Sequence, residues 1–165
     1  MKNVIRAVAA IVVVAIIGWV STAPYLSNEG LGRLPGLIIG GTPTAAPADF
    51  SQFNGVVPGP LYMKQAGFPP FVNYLSWVGA EGGVITASRP DNGLWARRVR
   101  ERGGDGWLRI GEATYEMEAV EIFGDERLAM IELWAGKAGR TLEEPLYPGS
   151  EPLREWVVFF WKPRA

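Results

Sequence analysis

The run from Ala7 to Leu26, AVAAIVVVAIIGWVSTAPYL, carries no charge in twenty positions, and it constrains the chain more than any other feature. Its length matches the roughly 20 residues a helix needs to cross a bilayer. Val and Ile occupy every side of it, which leaves no polar face for a helix lying on a soluble core. The run therefore predicts a single N-terminal transmembrane helix in which Ala7, Ile11, Val14, Ile17, Trp19 and Tyr25 form the membrane anchor. Trp19 and Tyr25 fall toward its distal end, where amphipathic rings prefer the water interface. Lys2 and Arg6 precede the run and no cation follows it through Glu29. The positive-inside bias then sets the N-terminus in the cytoplasm and the rest of the chain in the periplasm, at a bacterial inner membrane. A cleaved signal peptide is the competing reading, because Ser21-Thr22-Ala23 supplies small residues, but Pro24 directly after them disfavours cleavage.

The absent residue types narrow the chemistry. Among 165 residues there is no Cys and no His. That excludes disulfides, thiolate or imidazole metal sites, a Ser/His/Asp triad and His-ligated haem. Any catalysis would fall to carboxylates, Lys, Tyr or a borrowed cofactor. A formal net charge of −1 lacks the cationic footprint of a nucleic-acid binder.

Gly 21 and Pro 13 promise a body rich in turns and strands. They concentrate between Ser27 and Pro70, where no helix survives the proline density. Yet Leu34, Leu37, Ile38, Phe50, Phe53 and Leu61 are too apolar for a plain spacer, so residues 27–70 read as an extended arm that lies against something. Its candidate hosts are the folded domain, the membrane surface and a neighbouring subunit. The domain division is then 1–26 for the cytoplasmic tip and membrane helix, 27–70 for the arm and 71–165 for an outer α+β domain.

From Phe71 the pattern becomes regular. Phe71 to Val78 and Gly83 to Ser88 are β-prone and separated by a short turn. Ser88-Arg89-Pro90-Asp91 has capping-box spacing and predicts a helix running to about Arg102, stopped by Gly103-Gly104. Trp107 to Ile110 and Ala113 to Ile122 form a second hairpin, in which Ala113, Tyr115, Met117 and Ala119 alternate with polar residues. A second helix is expected from near Asp125 to before Gly136, with Leu128, Ile131 and Trp134 or Ala135 inward. The apolar run Trp156 to Trp161 should be a central strand. The order β-β-α-β-β-α-β predicts a small antiparallel, barrel-like sheet with two helices.

Three groups invite functional readings. Arg97, Arg98, Arg100 and Arg102 could receive a phosphate, an anionic head group or an acidic partner, or simply form a solvated helix face. Glu112, Glu116, Glu118 and Glu121 read as a solvent-facing strand edge, with no metal site to be expected from them. Seven Trp residues exceed what a small domain easily buries, and those left outside would serve as interface anchors.

The stretch Gly83 to Trp134, through Ser88, Arg89, Pro90, Trp95, Arg98 and Asp125-Glu126-Arg127, resembles the split-barrel flavin- and deazaflavin-binding superfamily related to pyridoxamine phosphate oxidase and deazaflavin-dependent nitroreductase. The resemblance covers about a third of the chain and implies a split β-barrel. It also implies a cofactor site with Ser88, Arg89 and Arg98 near a phosphate and Trp95 near the ring. One departure weighs against that site. Where such families carry an Arg/Lys- and Gly-rich phosphate cradle, this chain has MKQAGFPPFVNYLS, with Lys64 as the only cation.

These readings converge on a non-catalytic, membrane-anchored accessory subunit that braces a bacterial membrane complex, photosynthetic or respiratory, with other subunits and the bilayer as partners and no cofactor expected. The alternative is a membrane-anchored split-barrel oxidoreductase using flavin or deazaflavin. A binding module for a lipid or other apolar ligand is a third class.

Overall fold

A computed structural model of the protein describes residues 2–29, 37–90 and 93–164, with side chains of the first segment described from 2 to 18. The helix α1 (Lys2–Glu29) comes first. The body contains β1 (Thr42–Pro43), β2 (Leu61–Gln65), β3 (Val72–Leu75), β4 (Trp77–Ala80), β5 (Gly83–Ser88), α2 (Leu94–Arg102), β6 (Asp105–Ile110), β7 (Ala113–Ile122), α3 (Gly124–Lys137) and β8 (Val157–Pro163).

Seven strands pair in the order β3-β2-β6-β7-β8-β5-β4, all antiparallel. The two ends of that path, β3 and β4, are consecutive in the chain and separated only by Ser76. One extended segment therefore pairs first with β2 and then, past Ser76, with β5. This bend curls the sheet into an antiparallel half-barrel, the closure that spares a small sheet two long open edges. β1 adds a short parallel pairing at Ala113 and Thr114, on the part of the β7 edge that β8 does not reach.

Alternation along the strands sorts the apolar residues to two cores. The concave one gathers Phe50, Leu61, Met63, Trp77, Leu108, Tyr115, Met117, Phe159 and Trp161, with Ala96 and Val99 arriving from α2. The convex one lies under α3, where Ile131, Trp134 and Ala135 meet Val78, Ile85, Ala87, Trp156 and Val158. β5 serves both, which is why all six of its residues are buried. β8 is interior to the sheet, as its apolar run predicts. Trp161 is fully buried, and its indole N–H donates to the equally buried Thr86 hydroxyl at 3.0 Å, so that donor is satisfied inside the core.

Two expectations are corrected. Among the described residues no helix is long and apolar enough to cross a membrane. The described side chains of α1, residues 2–18, include the cations Lys2 and Arg6. The fold is thus an antiparallel half-barrel with two packed helices and an N-terminal helix, and the transmembrane assignment is withdrawn. The second correction concerns α2, which starts at Leu94 with Gly93 as its N-cap and no side-chain cap. Ser88 is held in the β5–β8 ladder opposite Val157 and cannot serve a helix that begins six residues on. Asp91 lies outside the described residues.

Candidate functional site

The residues proposed to hold a cofactor are engaged with the chain itself. Ser88 is buried at the end of β5. The Arg89 guanidinium lies 6.0 Å from the Tyr147 ring centroid. Trp95 packs on Phe159 with ring centroids 4.8 Å apart. Arg98 is 5% exposed and spends its charge on the loop between β2 and β3, donating from Nη1 to the Pro69 carbonyl at 2.7 Å and from Nη2 to that of Ala66 at 3.3 Å. Arg102 donates to the intervening Phe68 carbonyl at 2.7 Å. Burial and, secondarily, neighbouring Arg102 lower the Arg98 pKa from its ordinary value. Arg100 is bidentate to Glu121, at 2.6 and 2.5 Å. Most of the basic cluster of α2 thus serves to seat that helix on the β2–β3 loop and on β7, a use that spacing could not reveal because the acceptors, loop carbonyls and the Glu121 carboxylate, lie 21 to 34 residues away.

The acidic strand resolves in the same way. Glu112 pairs with Arg109, Glu116 with Arg164, Glu118 with Lys162 and Glu121 with Arg100. The Arg164 hydrogen bond draws the Glu116 carboxyl below its usual range. Among the described residues no group of acidic side chains could hold a metal ion.

The arm residues divide. Leu34 lies outside the described residues. Leu37 is half-buried and Ile38 exposed, whereas Phe50 and Leu61 are core residues at 0% and 1% exposure. Phe53 packs beside Phe50 and Tyr115. Polar anchors clamp this segment to the body. Arg109 Nη1 donates to the Ile39 carbonyl, Thr114 Oγ1 to that of Gly40, and the Thr42 and Thr44 N–H groups to the carbonyls of Glu112 and Thr114. Further along, the Asn54 side chain behaves as an extra strand: its amide donates to the Gly79 carbonyl at 2.8 Å and its Oδ1 accepts the Gly79 N–H at 2.9 Å. These bonds cover the β4 edge. Gly79 has to be glycine there, because a Cβ would overlap the Phe50 carbonyl.

A groove opens where the strand path bends. Gly59, Pro60, Ser76, Trp77, Trp134, Lys137 and Ala138 line about 440 Å³, mostly of apolar surface. Both indole N–H groups are already used, Trp77 on the Gly59 carbonyl and Trp134 on that of Ser76, each at 3.1 Å. The rings therefore present carbon. Lys137, the last residue of α3, places Nζ 3.6 Å from the Trp77 ring centroid and 3.4 Å from Asn54 Oδ1. Partial desolvation pushes its pKa below the ordinary lysine value. Sequence reading missed this cluster because its members come from the arm, the strand bend and the end of α3. The surplus of Trp was the one available signal.

The anchor residues Ala7, Ile11, Val14 and Ile17 are exposed on α1, and the side chains of Trp19 and Tyr25 lie outside the described set. Nine Val and Ile residues between Val4 and Ile17 are 49–69% exposed and occupy all sides of the helix.

No family model matches the chain, and no curated protein matches it.

Proposed function

We propose that the protein is a non-catalytic accessory subunit, attached to a larger protein assembly through α1 and presenting its half-barrel body to neighbouring subunits. The observation that carries this reading is the exposure of every described side chain from Lys2 to Gly18 on an apolar helix. A Val/Ile-rich helix of this kind is marginal by itself in water, since most helical stability comes from packing an apolar face. Burying nine such side chains at roughly 1.5–3 kcal/mol each supplies a gross driving force on the order of 10 kcal/mol toward an apolar partner. Meanwhile the body satisfies its own core, so the attachment point and the folded unit are separate parts of the molecule.

A membrane complex is the host expected from sequence, and the experiment is designed to find it. The full chain, tagged at its C-terminus, is extracted from native cells in mild detergent, and the masses of intact assemblies are measured. Stoichiometric association with a larger complex, lost on deletion of residues 2–18, supports the proposal. A monodisperse monomer that needs neither host nor detergent overturns it.

The body is further proposed to be a degenerate member of the split-barrel flavin-binding superfamily. The curled antiparallel sheet supports this, and the engagement of Arg98 with the Ala66 and Pro69 carbonyls argues for the loss of the phosphate site. A flavin or deazaflavin mass retained by the isolated protein would reverse that conclusion in favour of the oxidoreductase.

A further inference from the structure

The groove at the strand bend combines three properties that the accessory-subunit reading does not use. Its volume of about 440 Å³ falls within the range of small-molecule sites. Its walls are apolar, because the two indoles that form them have internal acceptors for their N–H groups. And it holds an ammonium group without a carboxylate: among the described residues Lys137 has no acidic side chain within ion-pair distance, its polar contact being the long one to Asn54 Oδ1. An ammonium beside carbon-lined walls, with donor capacity left over, lacks an anion. Ser76, exposed at the break between β3 and β4, adds a hydroxyl donor on the same rim.

We propose that this groove binds a small carboxylic acid with a flat apolar body, its carboxylate held by Lys137 Nζ and Ser76 and its body lying against Trp134 and Pro60. Trp77 positions Lys137: the cation rests on the indole face, which favours the charged form and steadies a flexible four-carbon side chain at the rim. The acid matches this site better than its amide. A neutral ligand would desolvate the ammonium without neutralising it, whereas a carboxylate forms a charge-assisted bond. The geometry also excludes a dianionic or phosphorylated ligand from tight binding, because the rim offers one cation.

The test uses indole-3-acetate as probe and indole-3-acetamide as its neutral match, titrated into the full ¹⁵N-labelled chain in mild detergent, with the indole N–H resonances of Trp77, Trp134 and Trp161 followed. The resonances of Trp77 and Trp134 are expected to move saturably while that of Trp161, enclosed in the concave core, stays fixed. The acid should bind about tenfold more tightly than the amide, the size of one hydrogen bond to a charged group. Lys137→Met should abolish that difference, and Lys137→Arg should keep most of it. An unmoved Trp161 resonance in each variant reports that the fold is intact. Equal binding of acid and amide, undiminished preference in Lys137→Met, or no shift up to about 5 mM, beyond the weak end of useful affinity, each overturns the proposal. None of these outcomes depends on whether α1 has a partner subunit.

Discussion

The arm and α1 are both apolar segments without a core of their own, and they end in opposite situations. The arm, from about residue 37 to 57, closes on the body: Phe50 is fully buried, and backbone and side-chain hydrogen bonds tie its length to β4, β7 and the turn before β7. α1 stays exposed on every described side. The difference lies in what each leaves unsatisfied. An extended chain must find partners for its N–H and C=O groups, and the open edges of a curled sheet supply them. A helix satisfies its backbone internally, so nothing except apolar contact directs it. Two segments that carry apolar side chains thus serve cohesion in one case and, as proposed, association in the other.

Four experiments would break or sharpen that contrast. The largest effect is expected from deleting residues 37–57, which removes Phe50 and uncovers the β4 edge. Cooperative thermal unfolding, followed by circular dichroism, should disappear, and a retained sharp transition would show the arm to be dispensable. Phe50→Ala should cost about 3–5 kcal/mol in denaturant titrations, the usual range for a buried aromatic. Its ring lies 5.3 Å from that of Tyr115, so both sides of the arm contact lose packing. Asn54→Ala leaves both polar groups of Gly79 without their partner and should cost about 1–3 kcal/mol. A loss no greater than that of an exposed substitution would mean that water replaces the side chain. Removal of residues 2–18 should leave the body's melting temperature unchanged, and a marked drop would show that α1 supports the body after all.

Tyr115 adds a pH-dependent view of the arm contact. Burial raises its pKa above the ordinary value of 10.0. A folded-state pKa above the unfolded one means that this contribution to stability is complete below about pH 10 and is lost as pH rises through the folded value. Tyr115→Phe should therefore flatten part of the alkaline fall in stability. An identical alkaline limb in both proteins would assign that fall to other groups.

What could be read from the sequence follows a pattern. The alternation in Ala113 to Ile122, the apolar run at Trp156 to Trp161 and the stripe Leu128, Ile131 and Trp134 or Ala135 predicted β7, β8 and α3, and each is present, with Ile131, Trp134 and Ala135 buried and Leu128 half-buried. In those places the periodicity of nearby residues matches the face that is buried. The Ser-x-x-Asp spacing misled at α2 because Ser88 is claimed by a strand pairing with Val157, a partner far along the chain. The basic cluster kept its alternatives open for the same reason: the acceptors of Arg98 are Ala66 and Pro69 carbonyls, which no local spacing announces. The groove was illegible, since Lys137 and Asn54 are 83 positions apart.

By itself, then, the sequence determined the chemistry that is excluded by the lack of His and Cys, the antiparallel α+β class, and the presence of an apolar N-terminal helix, because composition and periodicity act through neighbours in the chain. Only the tertiary structure decided that Ser76 turns one strand between two partners, that the arm belongs to the body, that Arg98 is spent internally and that Lys137 meets Trp77. Each of those depends on closing long loops, and which distant groups meet is set by the whole curled sheet competing for the same few edges.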